Sequence, residues 1–207
     1  MGRKPSDKPR EDNPKLKRRW ASKIAPLYFR DGMSAFAMDE VADKLGISKA
    51  TLYKHFSSRQ DILNEIVKLK LEELIVFKNT VLDQNRPYEE RLFTAAQTAA
   101  MLMAGISNAF LQDVRENNED VWQFVRNFQD DALDTMRKFY QEGIDKGHLS
   151  DVNPHVLAVI DRLFVRAVAD PQFLKDNNLD LKTAVEEFFK VKSFGIFKRN
   201  TDKGSES

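Results

Sequence analysis

The segment Ser48-Lys-Ala-Thr-Leu-Tyr-Lys-His55 groups side chains suited to gripping nucleic acid without any covalent step. Lys49 and Lys54 can release condensed counterions from phosphates. Thr51 offers a hydroxyl to a base edge and a methyl to thymine, and Ala50 adds an apolar contact that leaves room for approach. Tyr53 and His55 complete the same polar face. Ser48 stands where a helix needs its N-cap, and a capped helix N-terminus can hold a phosphate. On these residues alone, an ordinary helical hairpin with a solvated basic face remains an alternative.

The charge distribution favours a polyanionic partner. The 207-residue chain has a net charge of +1, but residues 1–60 hold 14 Lys+Arg against 7 Asp+Glu, and the remainder 19 against 25. A basic module can meet a polyanion that an acidic body would repel. Hydrophobic residues make up 42% of the chain, including 15 Phe, enough for a packed core. The absence of cysteine excludes disulfides, thiolate catalysis and Cys-ligated zinc, and fits a cytoplasmic protein. Met1 to Arg19 has no apolar run of the signal-peptide kind, and Thr94 to Ile106 is too short to span a membrane.

The elements that must position the 48–55 face are helices. Pro5, Pro9 and Pro14 mark residues 1–14 as a flexible basic arm, in which Arg3, Lys4, Lys8 and Arg10 could touch phosphate or a minor groove. From Lys15, Trp20, Ile24, Leu27 and Tyr28 recur at helical spacing up to Asp31-Gly32. A second helix is expected over Met38 to Leu45, stopped by Gly46, and a third opens after Ser48 and runs through His55. Ala42 is small enough for close helix approach, Gly46 can take the left-handed turn, and Leu52 plugs the angle between the helices. That is the geometry of a helix-turn-helix with its second helix free for the major groove.

Ser57 and Gln60 have capping-box spacing and open a fourth helix, from Ser58 to about Gln84. Tyr88 to about Ser107 is apolar nearly all round, which predicts a helix surrounded by others. Further helices are expected over about Asn108 to Glu116, about Glu119 to Lys146 ending at Gly147, Asn153-Pro154 to about Val168, and about Leu181 to Phe197, with Asp170-Pro171 as a breaker. The chain reads as all-α: an N-terminal three-helix homeodomain-like helix-turn-helix domain (15–60) and a C-terminal helical bundle (61–200), about nine helices with a polar tail at 201–207.

Gly32-Met-Ser-Ala-Phe-Ala-Met-Asp-Glu-Val-Ala42 and Leu45-Gly-Ile-Ser-Lys-Ala-Thr-Leu-Tyr-Lys-His-Phe-Ser-Ser-Arg-Gln-Asp-Ile-Leu63 resemble the N-terminal domain of the tetracycline-repressor (TetR) family. The most specific part is Ser48-Lys-x-Thr-Leu-Tyr-x-x-Phe56 followed by the basic Arg59. The resemblance implies DNA contacts from Ser48, Lys49, Ala50, Thr51, Tyr53, Lys54, His55 and Arg59. Of these, Lys49, Tyr53, Lys54 and Arg59 are expected mainly at phosphates, and Ala50 and Thr51 at bases. Two positions depart from the family pattern. Ala37 stands where Ser or Thr commonly caps the second helix and touches phosphate, with Ser34 too far back to replace it, and Ala50 stands where Gly is frequent.

The resemblance also implies a homodimer whose bundle binds a small molecule and shifts the DNA-binding heads. A two-helix dimer face is expected on Val156, Val159, Ile160, Leu163, Phe164 and Ala167, together with Leu181, Val185, Phe188, Phe189, Val191 and Phe194. Closing the monomer core is the other use for those stripes. Phe93, Gln97, Met101, Phe110, Trp122 and Phe128 are candidate walls for a largely apolar effector, with Gln97 as the polar handle and Met for adaptability.

Two constellations are set aside. Asp130-Asp131-x-x-Asp134 is a single carboxylate cluster beside Arg126 and Arg137, and a metal-diphosphate clamp needs two. His148, Asp151 and His155 flank a helix end and an N-cap, where polar residues are expected. No cofactor or catalytic step is expected. The expected function is a ligand-responsive homodimeric regulator, of repressor type, on a pseudo-palindromic double-stranded operator. The alternatives are a same-fold DNA-binding protein without inducer, whether activator or nucleoid-associated, and a ligand-binding or enzymatic bundle.

Overall fold

The computed structural model describes residues 13–117 and 119–196. Among them are ten α-helices, one short 3₁₀ turn and no β-strand. The helices are α1 (Pro14–Asp31), α2 (Met38–Leu45), α3 (Lys49–His55), α4 (Arg59–Leu82), α5 (Tyr88–Met103), α6 (Asn108–Asn117), α7 (Glu119–Asp145), α8 (Pro154–Val168), α9 (Pro171–Asp176) and α10 (Leu181–Ile196), with the 3₁₀ turn at Met33–Ala35. The arm residues Arg3, Lys4, Lys8 and Arg10, the tail 201–207 and the Phe194 side chain lie outside the described residues. No helix among the described residues is long and apolar enough to cross a membrane.

The helix starts follow local capping chemistry. Asn13 accepts from the Leu16 N–H at 3.1 Å with Pro14 in the first turn, so α1 begins inside the segment expected as arm. The cap of α4 is Ser58, not Ser57: its Oγ accepts from the Asp61 N–H at 3.2 Å. Asp61, not Gln60, returns the bond, accepting from both the N–H and Oγ–H of Ser57 at 2.8 Å. Asp170-Pro171 does more than break a helix. Asp170 accepts from the Gln172 N–H at 2.9 Å and starts α9, as Asn153-Pro154 starts α8. That adds the tenth helix.

α4 runs from the head formed by α1–α3 into the body. Its first turns carry Ile62, Leu63, Ile66 and Val67 into the head core, with Tyr28, Leu52 and Phe56, while Val81 at its far end joins the body core. α5 departs from the expected surrounded helix. It packs on α4 and α10 through Leu92, Ala95, Ala96, Ala99 and Ala100, whose short side chains allow close approach. The opposite side, at i, i+4 and i+8, carries Phe93 (64% exposed), Gln97 and Met101 (68% exposed).

A buried arginine fastens this end of the body. Arg91 of α5 donates to the Val81 carbonyl at 3.2 Å and makes a two-pronged contact with Glu142 of α7 at 2.6 and 3.2 Å. Its guanidinium lies over the rings of Tyr88 and Phe139. The arginine holds the Glu142 carboxyl down to a pKa of about 2.

Candidate nucleic-acid interface and cavity

The turn between α2 and α3 is built as its residues dictate. Gly46 adopts φ 74° and ψ 35°, the left-handed region that a residue with a Cβ enters at a cost. The Ile47 N–H then donates to the Ala42 carbonyl at 3.1 Å, and Lys23 of α1 donates to the Leu45 carbonyl at 3.2 Å, so the end of α2 is capped from two sides. Ala42 and Leu52 are buried at the crossing of the two helices. At the start of α2, Ala37 has no oxygen to offer, so only half of a capping box remains: the Ala37 N–H donates to Glu40 at 2.7 Å.

α3 presents Lys49, Ala50, Tyr53 and Lys54 to solvent, with Thr51 half-buried and Ser48 exposed at the N-terminus. The Ser48 Oγ accepts from the Thr51 N–H at 3.1 Å and pairs with the Thr51 hydroxyl at 2.8 Å, which fixes the Thr51 side chain. Lys49 is drawn to Asp39 of α2 at 2.7 Å, a surface ion pair of small energy. His55 does not belong to this face. It is buried, edge-on to Trp20 of α1 at 5.1 Å between ring centroids. Its position, three residues after Leu52, places it on the packing side of the helix. Arg59 is half-buried and donates to the Phe36 carbonyl at 3.3 Å, bracing α4 against the entry to α2.

A polar latch joins the head to the body. The buried carboxylate of Asp113 in α6 accepts from the Met33 N–H at 2.5 Å, the Ser34 N–H at 3.3 Å and the Ser34 hydroxyl at 2.7 Å. Gly32 permits this approach: its φ is 81°, and a Cβ there would lie 2.6 Å from the Asp113 carboxylate. Ser34, which cannot replace a cap at position 37, is thus used to hold α6. Nearby, the Ser107 N–H donates to the Phe29 carbonyl at 2.8 Å, and Phe29 meets Phe110 edge-on.

α6 also borders a cavity of about 230 Å³ enclosed by α4, α5, α6, α7, α8 and α10. Phe110, Trp122 and Phe128 stand on its wall, as expected of them. Phe93, Gln97 and Met101 do not, because they lie on the outer side of α5. The polar side chains on the wall are Lys70, Gln129 and Asp161.

The model of the "Bacterial regulatory proteins, tetR family" matches residues 25–66, the stretch that contains the helix-turn-helix. Residues 25–66 are thus a DNA-binding domain of the TetR type. The chain is 21% identical over 167 residues to the HTH-type transcriptional regulator YvaF of Bacillus subtilis, covering 78% of this chain and 86% of that one. Its fold is similar to that of a transcriptional regulator from Saccharomonospora viridis in complex with choline, with a TM-score of 0.70, 17% identity and coverage of 90% and 100%. The FadR regulator of Bacillus subtilis in complex with stearoyl-CoA matches at a TM-score of 0.62 and 16% identity, with coverage of 88% and 99%.

The residues expected at a dimer face divide. Val156, Val159, Ile160 and Leu163 of α8 are exposed, at 54%, 52%, 46% and 62%. Val185 is buried in the monomer, and Phe164, Phe188 and Phe189 line the cavity, with Phe164 and Phe188 stacked at 3.9 Å. Val185, Phe188 and Phe189 lie on the side of α10 that faces α5 and the cavity, and Phe164 meets them there from α8.

The two constellations set aside occupy ordinary surroundings. Asp131 pairs with Lys78, Asp134 with Arg137 and Lys138, and His148 stacks on Tyr88. Two features had no place in the sequence reading. One is the Asp113 latch, whose partners lie 79 and 80 residues away. The other is a buried cluster of Tyr140, Asp161 and Lys192, one residue from each of α7, α8 and α10.

Proposed function

We propose that this TetR-family regulator binds a pseudo-palindromic operator as a homodimer and is released by a largely apolar small molecule, acting as a repressor without any catalytic step. The carrying observation is the exposed face of α3, where Lys49, Ala50, Tyr53 and Lys54 stand on a helix capped by Ser48 at its start and closed by Phe56 at its end. Lys49, Tyr53 and Lys54 serve phosphates, and Ala50 and Thr51 serve base edges, with the Thr51 hydroxyl pre-set by Ser48. Arg59 acts first as a brace and reaches phosphate from the start of α4.

Dimerisation is supported by the unpartnered apolar row on α8 at i, i+3, i+4 and i+7, a contiguous stripe of the kind that marks an interface. Two recognition helices then meet half-sites about one DNA turn, ~34 Å, apart. Release is supported by α6, which has the cavity on one side (Phe110, Leu111, Val114) and the head latch on the other (Asp113). An occupant that displaces α6 pulls on the Met33–Ser34 turn and hence on the entry to α2. Choline and stearoyl-CoA in the related structures are occupants of those proteins and support an effector role for this cavity.

The test is enrichment from random duplex DNA by gel shift at low salt. A symmetric motif with two half-sites is the expected outcome, and a pool that stays random after repeated rounds overturns the reading.

A further inference from the structure

Asp161 is the carboxylate on the cavity wall, and it is 5% exposed. Tyr140 donates to its Oδ2 at 2.6 Å, and Lys192 donates to its Oδ1 and also to the Tyr140 oxygen at 2.5 Å. Tyr140 and Lys192 stand behind Asp161 and do not border the cavity. The other charged wall residue, Lys70, is paired with Glu73, whose side chain is half exposed. The wall of the cavity at Asp161 therefore presents a single carboxylate whose charge is balanced from behind.

The balance holds wherever the shared proton sits. Burial pushes Asp161 up and Lys192 down, which moves a proton between them without altering their sum. Burial also holds Tyr140 protonated, well above its usual value. Each Asp161 oxygen has one donor here and lone-pair capacity for another. A donor on a ligand is thus accepted. At Asp161 a ligand anion meets another acceptor, and a ligand cation brings charge to a pair that is already balanced, whereas the donors Lys70 and Gln129 stand elsewhere on the wall. Stability alone does not account for the cluster, since well-packed apolar residues commonly replace a buried ion pair without loss.

We propose that the cavity selects uncharged apolar molecules bearing a hydrogen-bond donor, of the medium-chain or aromatic alcohol class, with the donor on Asp161, and that the Asp161–Lys192 pair sets this charge preference. The proposal rests on the reading of the cavity as the effector site. At ~10–15 Å³ of cavity space per water-sized group, the cavity of about 230 Å³ has room for an eight-carbon chain with its head group. Octan-1-ol, octanoate and octylammonium are therefore matched probes that differ only in the head.

The experiment is calorimetric titration of the full chain with each probe at neutral pH. Octan-1-ol is expected to bind at least about tenfold more tightly than either ion. Asp161→Asn leaves Lys192 unbalanced and shifts preference to octanoate, and Lys192→Met shifts it to octylammonium. The double variant Asp161→Asn/Lys192→Met restores neutrality and, with it, the alcohol preference, which guards against reading a misfolded single variant. Octanoate binding as tightly as octan-1-ol in the natural chain, or a ranking that does not move in the variants, overturns this proposal and leaves the effector cavity standing. Failure of all three probes to bind overturns both.

Discussion

The head and the body place their polar groups on opposite terms. In α3 the charged side chains stand in solvent over a buried set of Leu52, His55 and Phe56, which carries no ion pair. In the body, Arg91, Asp161 and Lys192 are sunk in the core and held by partners on other helices. The head is a rigid presenter: its geometry comes from apolar packing and one left-handed turn, and the charges of α3 stand in solvent, with Lys49 held only by a surface pair to Asp39. The body is held by long-range polar locks, each costly to leave half-made. On the proposed reading a small molecule acts on the body, where a few contacts decide the arrangement, and reaches the head through the Asp113 latch.

Substitutions can break or sharpen that contrast. Leu52→Ala removes a fully buried side chain at the α2–α3 crossing and is expected to cost about 2–5 kcal/mol in urea unfolding, with operator binding lost alongside. Retained DNA affinity would show that the head does not depend on this packing.

Glu142→Gln addresses the Arg91 lock. The folded carboxyl titrates near 2 against 4.5 for the free group, so its contribution is complete above about pH 4.5 and is lost as the pH falls through 2. The variant is expected to be less stable at neutral pH by on the order of 2 kcal/mol, and the gap to the natural chain should close in acid. A gap that stays constant from pH 7 to pH 2 would rule out the ion pair as its source.

Tyr140→Phe deletes the hydroxyl shared by Asp161 and Lys192 and is expected to cost about 1–3 kcal/mol, with DNA affinity unchanged once the protein is folded. An equal loss of DNA affinity would erase the distinction between head and body. The smallest effect is a gain. Ala37→Ser supplies the missing N-cap oxygen of α2 and should raise stability by about 1 kcal/mol, read as a higher melting temperature.

The same contrast explains what could be read from the residues alone. Ala42, Gly46, Ser48 and Leu52 lie within eleven positions, so their spacing defines the helix-turn-helix before any tertiary contact is known. The polarity of His55 suggests the outer face, but at i+3 from Leu52 it shares the inward side, where Trp20 receives it. On α5, composition concealed direction. Nearly every residue is apolar, so periodicity could not tell Phe93 and Met101 from the alanines that face inward. The Tyr140–Asp161–Lys192 cluster did leave a trace. Asp161 is in register with Leu157 and Val168 on α8, and Lys192 with Val185 and Phe188 on α10. Opposite charges embedded in two apolar stripes are the pattern of a buried pair, although neither stripe names its partner. The Asp113 latch left no such trace, since a lone aspartate on a short helix is most often solvated.

On this reading the exposed face of α3 is what meets DNA. The direct measurement is the affinity of a selected operator duplex for the Tyr53→Ala/Lys54→Ala double variant across a salt series, with its fold checked by circular dichroism. Both side chains are exposed, so the fold should be unchanged. At least about a tenfold loss of affinity is expected, with a salt slope lowered by about one for the missing lysine. A folded double variant that binds the duplex as tightly as the natural chain, with the same salt slope, would contradict it.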